Sequence, residues 1–334
     1  MQFRSEFTPK PLPIKIKITD KLLLVGSCFT EQIGKKMTAH KFKAIENPNG
    51  ILFNPVSIAK AIKSYTKENI FSESDLFYYN ELWASRAHHT RFSHPEKLKA
   101  LQNINTELKR AADFIKTADW ILITLGSAFV YEWKDIDIQP ENNYNNVAAN
   151  CHKIPTDKFN RRLLNPTEIV TVLEDMQHSV RSINPNAKFI FTVSPVRHLR
   201  EGFIENNRSK AALIQAVHEI TNDTNSFYFP AYELVIDDLR DYRFFAEDLV
   251  HPNYAATNYV WEKFVPAVTD EASQQLMKEI NEINAAVNHK PFNPSSTSHK
   301  KFMQINFEKV VSLSQKYPHL DLSNEFQFFQ ESHD

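Results

Sequence analysis

Leu22-Leu23-Leu24-Val25-Gly26-Ser27-Cys28-Phe29-Thr30-Glu31 joins an apolar run to a Gly-Ser pair, and then to a segment with helical spacing, Phe29, Ile33 and Met37. The run reads as a buried strand. A strand that ends in Gly-Ser and turns at once into a helix lifts the serine hydroxyl to the rim of a parallel sheet, where the helix's first N–H groups point into the same space. Such a place can make and stabilise an oxyanion if the chain supplies a base. The plainer reading of Ser27 is a helix N-cap, the usual job of a serine after a strand.

The candidate base lies far downstream, in Phe245-Ala246-Glu247-Asp248-Leu249-Val250-His251-Pro252-Asn253. A carboxylate three residues before a histidine reaches its ring within one turn and orients it, leaving the other nitrogen to take a serine proton. Pro252 pushes His251 out of the helical region, just ahead of a helix expected to start near Asn253. Ser27, His251 and Asp248 are therefore the candidate triad, although Asp248 alone reads equally well as a turn residue.

Working outward, Trp120 to Leu125 and Lys188 to Val193 are further apolar runs, followed by Gly126 and by Ser194-Pro195. Phe42 to Ile45 and Phe227 to Phe229 are shorter strand candidates. Continuous runs suit strands covered on both faces. Helices are expected from Pro55 to about Lys67, Pro95 to Lys116, Pro166 to Ile183 and Asn207 to Thr221. The alternation of strand and helix predicts an α/β fold with a parallel sheet. Ser27, Gly50, Gly126, Ser194 and His251 would then gather at the carboxyl ends of its strands. Gly50 sits in Asn47-Pro48-Asn49-Gly50-Ile51-Leu52-Phe53-Asn54-Pro55, a strong turn signal. Its N–H can serve an oxyanion, or the segment can be a plain connecting loop.

Two stretches are less regular. Leu76 to His94 mixes aromatics with Arg86, His88, His89, Arg91 and His94. Adjacent histidines point apart on a strand, and neither a Cys nor HExxH spacing accompanies them, so no metal site is expected. Residues 134–165 are polar and rich in Asn, and read as an irregular lid or binding loop. His152 lies there, as a site residue or a surface histidine. Beyond Pro266 the chain becomes helical and charged over Glu271 to Val287 and again over Phe302 to Gln315, with a Pro/Ser-rich linker at Lys290 to His299. The expected division is 1–268 for the main domain and 269–334 for a helical extension, packing on that domain or on a second copy.

In the 334 residues, 39 Lys and Arg stand against 40 Asp and Glu, with neither sign blocked into a tail. Nothing favours nucleic acid or an anionic membrane. Two cysteines, Cys28 and Cys151, give no disulfide framework. No apolar run reaches signal-peptide or membrane-spanning length, so a cytoplasmic location is expected.

The stretch Gly26-Ser27-Cys28-Phe29 resembles the signature of the GSCFA-domain family, a branch of the SGNH/GDSL hydrolases, with Thr30 in place of the final alanine. Supporting stretches are Asn47 to Pro55, Leu125-Gly126, Cys151-His152-Lys153-Ile154-Pro155, Ser194-Pro195-Val196 and Asp248 to Pro252. The resemblance implies a flavodoxin-like three-layer α/β/α (SGNH-hydrolase) fold, with Ser27 as nucleophile, His251 as base and Asp248 as its orienter. It also implies Gly50 and the Ser27 N–H in the oxyanion hole, and no metal or organic cofactor. Such hydrolases carry Gly-x-Asn-Asp in their third block, where this chain has Gly126-Ser127-Ala128-Phe129. Loss of one oxyanion donor costs about 10²–10³ in rate. Asn47, Asn49 and Ser127 are the candidate replacements.

The implied activity is that of a serine esterase on small O-acyl esters, above all acetyl esters of carbohydrates; the C-terminal helices, read from their own pattern, leave a homo-oligomer through them as one option beside packing on the main domain. An O-acyltransferase to a sugar hydroxyl, a Cys28 nucleophile and a non-catalytic glycan-binding module are the competing readings.

Overall fold

The computed structural model describes residues 4–134 and 146–330. Its centre is a five-stranded, all-parallel sheet: β1 (Lys21–Gly26), β2 (Lys43–Glu46), β3 (Trp120–Leu125), β4 (Lys188–Val193) and β5 (Ser226–Tyr228), in the order β2-β1-β3-β4-β5. That is the flavodoxin-like order, in which the direction of winding reverses between β1 and β3. Folds of this order place their sites at the carboxyl ends of the strands on either side of that point, here β1 and β3. Ser27 and Gly126 are the residues that follow those two strands.

Alternate side chains of β1 serve opposite layers, as the two-residue period of a strand requires. Leu23 and Val25 pack with β3 residues Ile121 and Ile123. The helices on that face are α2 (Pro55–Lys67), α3 (Lys97–Ile115), α4 (Pro166–Arg181) and α5 (Phe203–Ile220). Leu22 and Leu24 face α1 (Cys28–Ala39) and α6 (Tyr254–Val268) on the other side. The C-terminal helices α7 (Glu271–Val287), α8 (Thr297–Lys316) and α9 (Ser323–Gln330) extend this second core through Leu276, Ile280, Val310 and Phe329. Both faces of the sheet are thus apolar, which is why its strands read as unbroken runs. Asn54 caps α2 with Pro55 in its first turn, and Asn165 with Glu168 forms a capping box ahead of Pro166.

Several boundaries differ from the sequence reading. Residues 134–165 are not irregular throughout: Phe159–Leu163 pairs antiparallel with Phe129–Trp133, directly after the β3 rim loop. The exposed Asn160 and Arg161 hide that strand, because they leave too short an apolar alternation to recognise. The part of the expected lid over 135–145 lies outside the described residues. Leu76–Tyr79 and Leu82–Ser85 form a second hairpin. Helix α5 starts at Phe203, behind Gly202 at φ 93°, rather than near Asn207. Helix α8 starts at Thr297 because Ser296 caps it, so the linker's last residues are helical. Among the described residues, no helix is long and apolar enough to cross a membrane.

Candidate active site

Gly26 adopts φ 149°, and a Cβ there would collide with the Thr124 carbonyl. The sharp exit from β1 therefore needs glycine, and it sets Ser27 at the N-cap of α1. Ser27 is fully buried. Its N–H donates to Thr124 O (3.2 Å), and its Oγ accepts from the Phe29 N–H (3.3 Å). A hydroxyl that only accepts keeps its own proton free to be taken. Capping and nucleophilic attack are therefore compatible for this serine.

Asp248 and His251 form a compact unit on a half-exposed loop. His251 Nδ1 stands 2.7 Å from Asp248 Oδ2, and Asp248 Oδ1 accepts the N–H groups of Val250 (2.9 Å) and His251 (3.0 Å). Leu249 takes the left-handed φ of 57° that folds the carboxylate back onto the ring. The loop is closed below by Ala246 N–H on His251 O and by Asn253 N–H on Phe244 O. The His251 backbone N–H, then its ring, then the Val250 N–H hold the Asp248 carboxyl down to about 2. An ionised carboxylate on Nδ1 fixes the proton there and leaves Nε2 as an acceptor. Ser27 and His251 share no hydrogen bond among the described residues. The loop that carries His251 is tied to the β4 rim loop by the Arg197 N–H on Val250 O (3.1 Å).

The expected oxyanion donors fare differently. Gly50 N–H is spent on Asn47 O (2.7 Å), and the φ of 80° at Gly50 serves a close approach by His89, whose Cβ would collide with a side chain. Gly126 and Ser127 N–H both donate to Phe53 O, at 2.8 and 3.0 Å. Ser127 Oγ is turned into α5, onto Ser209 Oγ (3.3 Å), and accepts from Phe129 N–H. Asn49 is occupied by Ala87 O and the Tyr65 hydroxyl. Ser194 Oγ accepts from Val196 N–H. Among these side chains Asn47 has the amide nitrogen with no partner. Its Oδ1 accepts the Gly26 N–H (2.8 Å), and its buried Nδ2 has no partner among the described residues.

A model described as the GSCFA family matches residues 21–264, from β1 through most of α6. The chain belongs to the GSCFA family. A second model, described as the C-terminal domain of GSCFA domain proteins, matches residues 280–333. No curated protein matches the chain. Among solved structures, this GSCFA chain is similar to a carbohydrate esterase family 3 protein from Talaromyces cellulolyticus, at 13% identity over 78% of this chain and 99% of that one, with a TM-score of 0.36. It is similar to an acetyl esterase mutant with acetate ion, at 14% identity over 78% and 100% of the two chains, TM-score 0.36. An acetyl xylan esterase from the rumen bacterium Butyrivibrio proteoclasticus matches at 11% identity over 82% and 66%, TM-score 0.28. Similarities this distant bear on neither substrate nor mechanism.

In the GSCFA chain His152 is not a surface residue. It is buried between the hairpins, its Nε2 on Ser85 O (2.9 Å) and its ring edge-on to Phe77, while His88 Nδ1 bonds Ser85 Oγ (2.9 Å). His89 and His94 instead accept from the N–H groups of Arg91 and Glu96. Among the described residues, no group of three or more His, Cys, Asp or Glu is placed to hold a metal.

Burial pushes His88 down to about 3, and burial with Lys210 and His251 does the same to His198. Both are neutral in the fold, and an unfolded histidine binds a proton near pH 6.5. Their contribution is therefore fully present above about pH 6.5 and is lost as pH falls toward 3, by up to about 5 kcal/mol per ring. His88→Phe keeps a ring between Phe71 and Phe92 and removes the proton. The acid-unfolding midpoint, followed by circular dichroism, should move to lower pH; an unchanged midpoint would contradict the burial argument.

Lys210 and His198 escaped the sequence reading. Lys210 is almost fully buried, and its Nζ donates to Gly126 O (2.6 Å) and Ser194 O (2.7 Å), tying the rim loops after β3 and β4 together. The periodicity held a signal: Ser209 and Lys210 share the buried face of α5 with Leu213, Ala216, Val217 and Ile220. Cys28 is half-buried and burial pushes its thiol up, which disfavours the thiolate a nucleophile needs. A cleft of about 400 Å³ runs from Pro252 between α1 and α6, lined by Gln32, Lys35, Lys36 and Tyr254. The larger cavity of about 610 Å³ lies by the edge strand β5, against Phe7 and Pro11, and none of the three candidate triad residues lines it.

Proposed function

We propose that this protein is a serine esterase that removes small acyl groups, acetyl foremost, from carbohydrate hydroxyls. The observation that carries this reading is the Asp248–His251 unit, with its ring nitrogen already oriented, on the same rim as a serine that ends a parallel strand. Ser27 Oγ attacks the acyl carbon while His251 Nε2 takes the hydroxyl proton. The carbonyl oxygen becomes an oxyanion facing Asn47 Nδ2 and the N-terminus of α1. As the C–O bond to the sugar breaks, His251 returns the proton to the leaving hydroxyl. Water then adds to the acyl-enzyme through the same base and releases the acid.

Ser27 must be uncovered for this, so the Phe53 carbonyl releases the Gly126 and Ser127 N–H groups to the substrate while Asn47 keeps its hold on the Gly26 N–H. The α1–α6 cleft suits the sugar. Tyr254 is 80% exposed, beside the amide and ammonium donors of Gln32, Lys35 and Lys36.

Asn47→Asp keeps the acceptor for the Gly26 N–H and removes the donor. Acetate release from an acetylated sugar should fall about 10²–10³-fold in kcat, with little change in KM. Unchanged kcat would remove Asn47 from the oxyanion hole.

A further inference from the structure

Lys210 stands out in the described part of the molecule because it is a cation with no counter-charge. Its ammonium carries three N–H donors. Two go to the Gly126 and Ser194 carbonyls, and the third has no hydrogen-bond partner among the described residues, the Tyr232 ring lying 5.9 Å from Nζ. The titratable groups that face it are Cys28 from α1, His198 from the loop after β4, and Tyr232 from the segment after β5. None is a carboxylate. A buried charge without a partner is a net cost to the fold, because the water it gives up is not replaced by an opposite charge. A leucine on that face of α5 would avoid the cost. What the lysine supplies instead is a positive field at the point where β1, β3 and β4 end.

We propose that Lys210 is a positioning residue whose buried ammonium, bridging the Gly126 and Ser194 carbonyls near Cys28, adds a positive field to the oxyanion site, where Ala128 offers no donor beside Asn47. The inference rests on the reading of Ser27 as nucleophile, but the field at the start of α1 is a property of the fold and can be measured without any ester. Burial holds Lys210 down to about 7. The ammonium is present below that pH and lost as pH rises through it. Activity should therefore fall on the alkaline side as this ammonium is lost.

Two readouts test this on the full chain, with Lys210→Met and Lys210→Arg each compared with the parent. The first uses Cys28 as a local probe in a Cys151→Ser background, following its alkylation by iodoacetamide against pH. Lys210 slightly lowers the Cys28 thiol, so Lys210→Met should slow alkylation near neutrality by a small but measurable factor through loss of thiolate, and Lys210→Arg should restore it. The second is the pH dependence of kcat for acetyl-ester hydrolysis. Lys210→Met should lower the neutral-pH value by about 10–100-fold and abolish the decline above pH 7, leaving a flat alkaline arm. Lys210→Arg should keep the rate and also lose the decline.

An unchanged Cys28 profile in a folded Lys210→Met protein overturns the proposal, as does an alkaline decline that survives the substitution. A shifted Cys28 profile in a protein that turns over no ester supports the field and overturns the esterase reading instead. If Lys210→Met fails to fold, Lys210→Gln, whose neutral NH₂ keeps two N–H donors for the two carbonyls, replaces it in both measurements.

Discussion

Replacing Ser27 with alanine should lower acetyl-ester hydrolysis by a factor on the order of 10⁴–10⁶, because the step that splits the reaction into acylation and deacylation disappears with the nucleophile. The substitution also removes the N-cap of α1, at a cost of about 1 kcal/mol. The fold should survive that loss, since α1 is held by Phe29, Ile33 and Met37 in the second core. Ser27→Gly, which loses only a few tenths of a kcal/mol as a cap, separates the two effects: it should be as inactive as the alanine variant and more stable. Cys28 should not take over, because its thiol is pushed up by burial. Comparable turnover by Ser27→Ala and the parent would remove the serine mechanism. Loss of that residual turnover in Cys28→Ala would transfer the role to the thiol.

The second large effect is expected at Asp248. Asparagine there offers the wrong partner to His251, since its amide can place an N–H against Nδ1 and stabilise the tautomer whose Nε2 already carries the proton. A base in that form cannot accept from Ser27, and the loss should be about 10³–10⁴ in kcat. Stability should change little, because both side chains are about half exposed. The low position of the Asp248 carboxyl, about 2, keeps it ionised across the pH range in which the buried histidines remain neutral. Protonation of Asp248 therefore sets no limb of the activity profile above about pH 4. A kcat in Asp248→Asn within a few-fold of the parent would show that the pair is a turn and not a catalytic device.

The parts of this molecule that were legible in its sequence are those with local causes. Leu22 to Val25, Trp120 to Ile123 and Phe189 to Phe191 are apolar at every position because helices cover both faces of the sheet. Gly26 is legible because no other residue fits its φ so close to Thr124. Asp248-x-x-His251 closes on itself within one turn, so its hydrogen bonds follow from its spacing.

The site's other polar groups obey distant partners. Gly50 and Gly126 look like free N–H donors in the sequence, yet Asn47 O and Phe53 O take them. Ser127 looks available until Ser209, on a helix far along the chain, claims its hydroxyl. Lys210 reads as a solvated helix residue unless the apolar face of α5 is traced through it. The short hairpin strands carry their exposed arginines outward and offer too little alternation to be recognised. Asn47 was legible only as one of three equal candidates, and the pairing of the other two singles it out.

The most direct test is labelling with a fluorophosphonate probe, with the adduct located by mass spectrometry, on the parent protein, Ser27→Ala and His251→Ala. A serine activated by His251 should give a single adduct on Ser27 that is absent from Ser27→Ala and strongly reduced in His251→Ala. A folded parent protein that takes up no probe, or an adduct on Ser27 that is undiminished without His251, would contradict the triad.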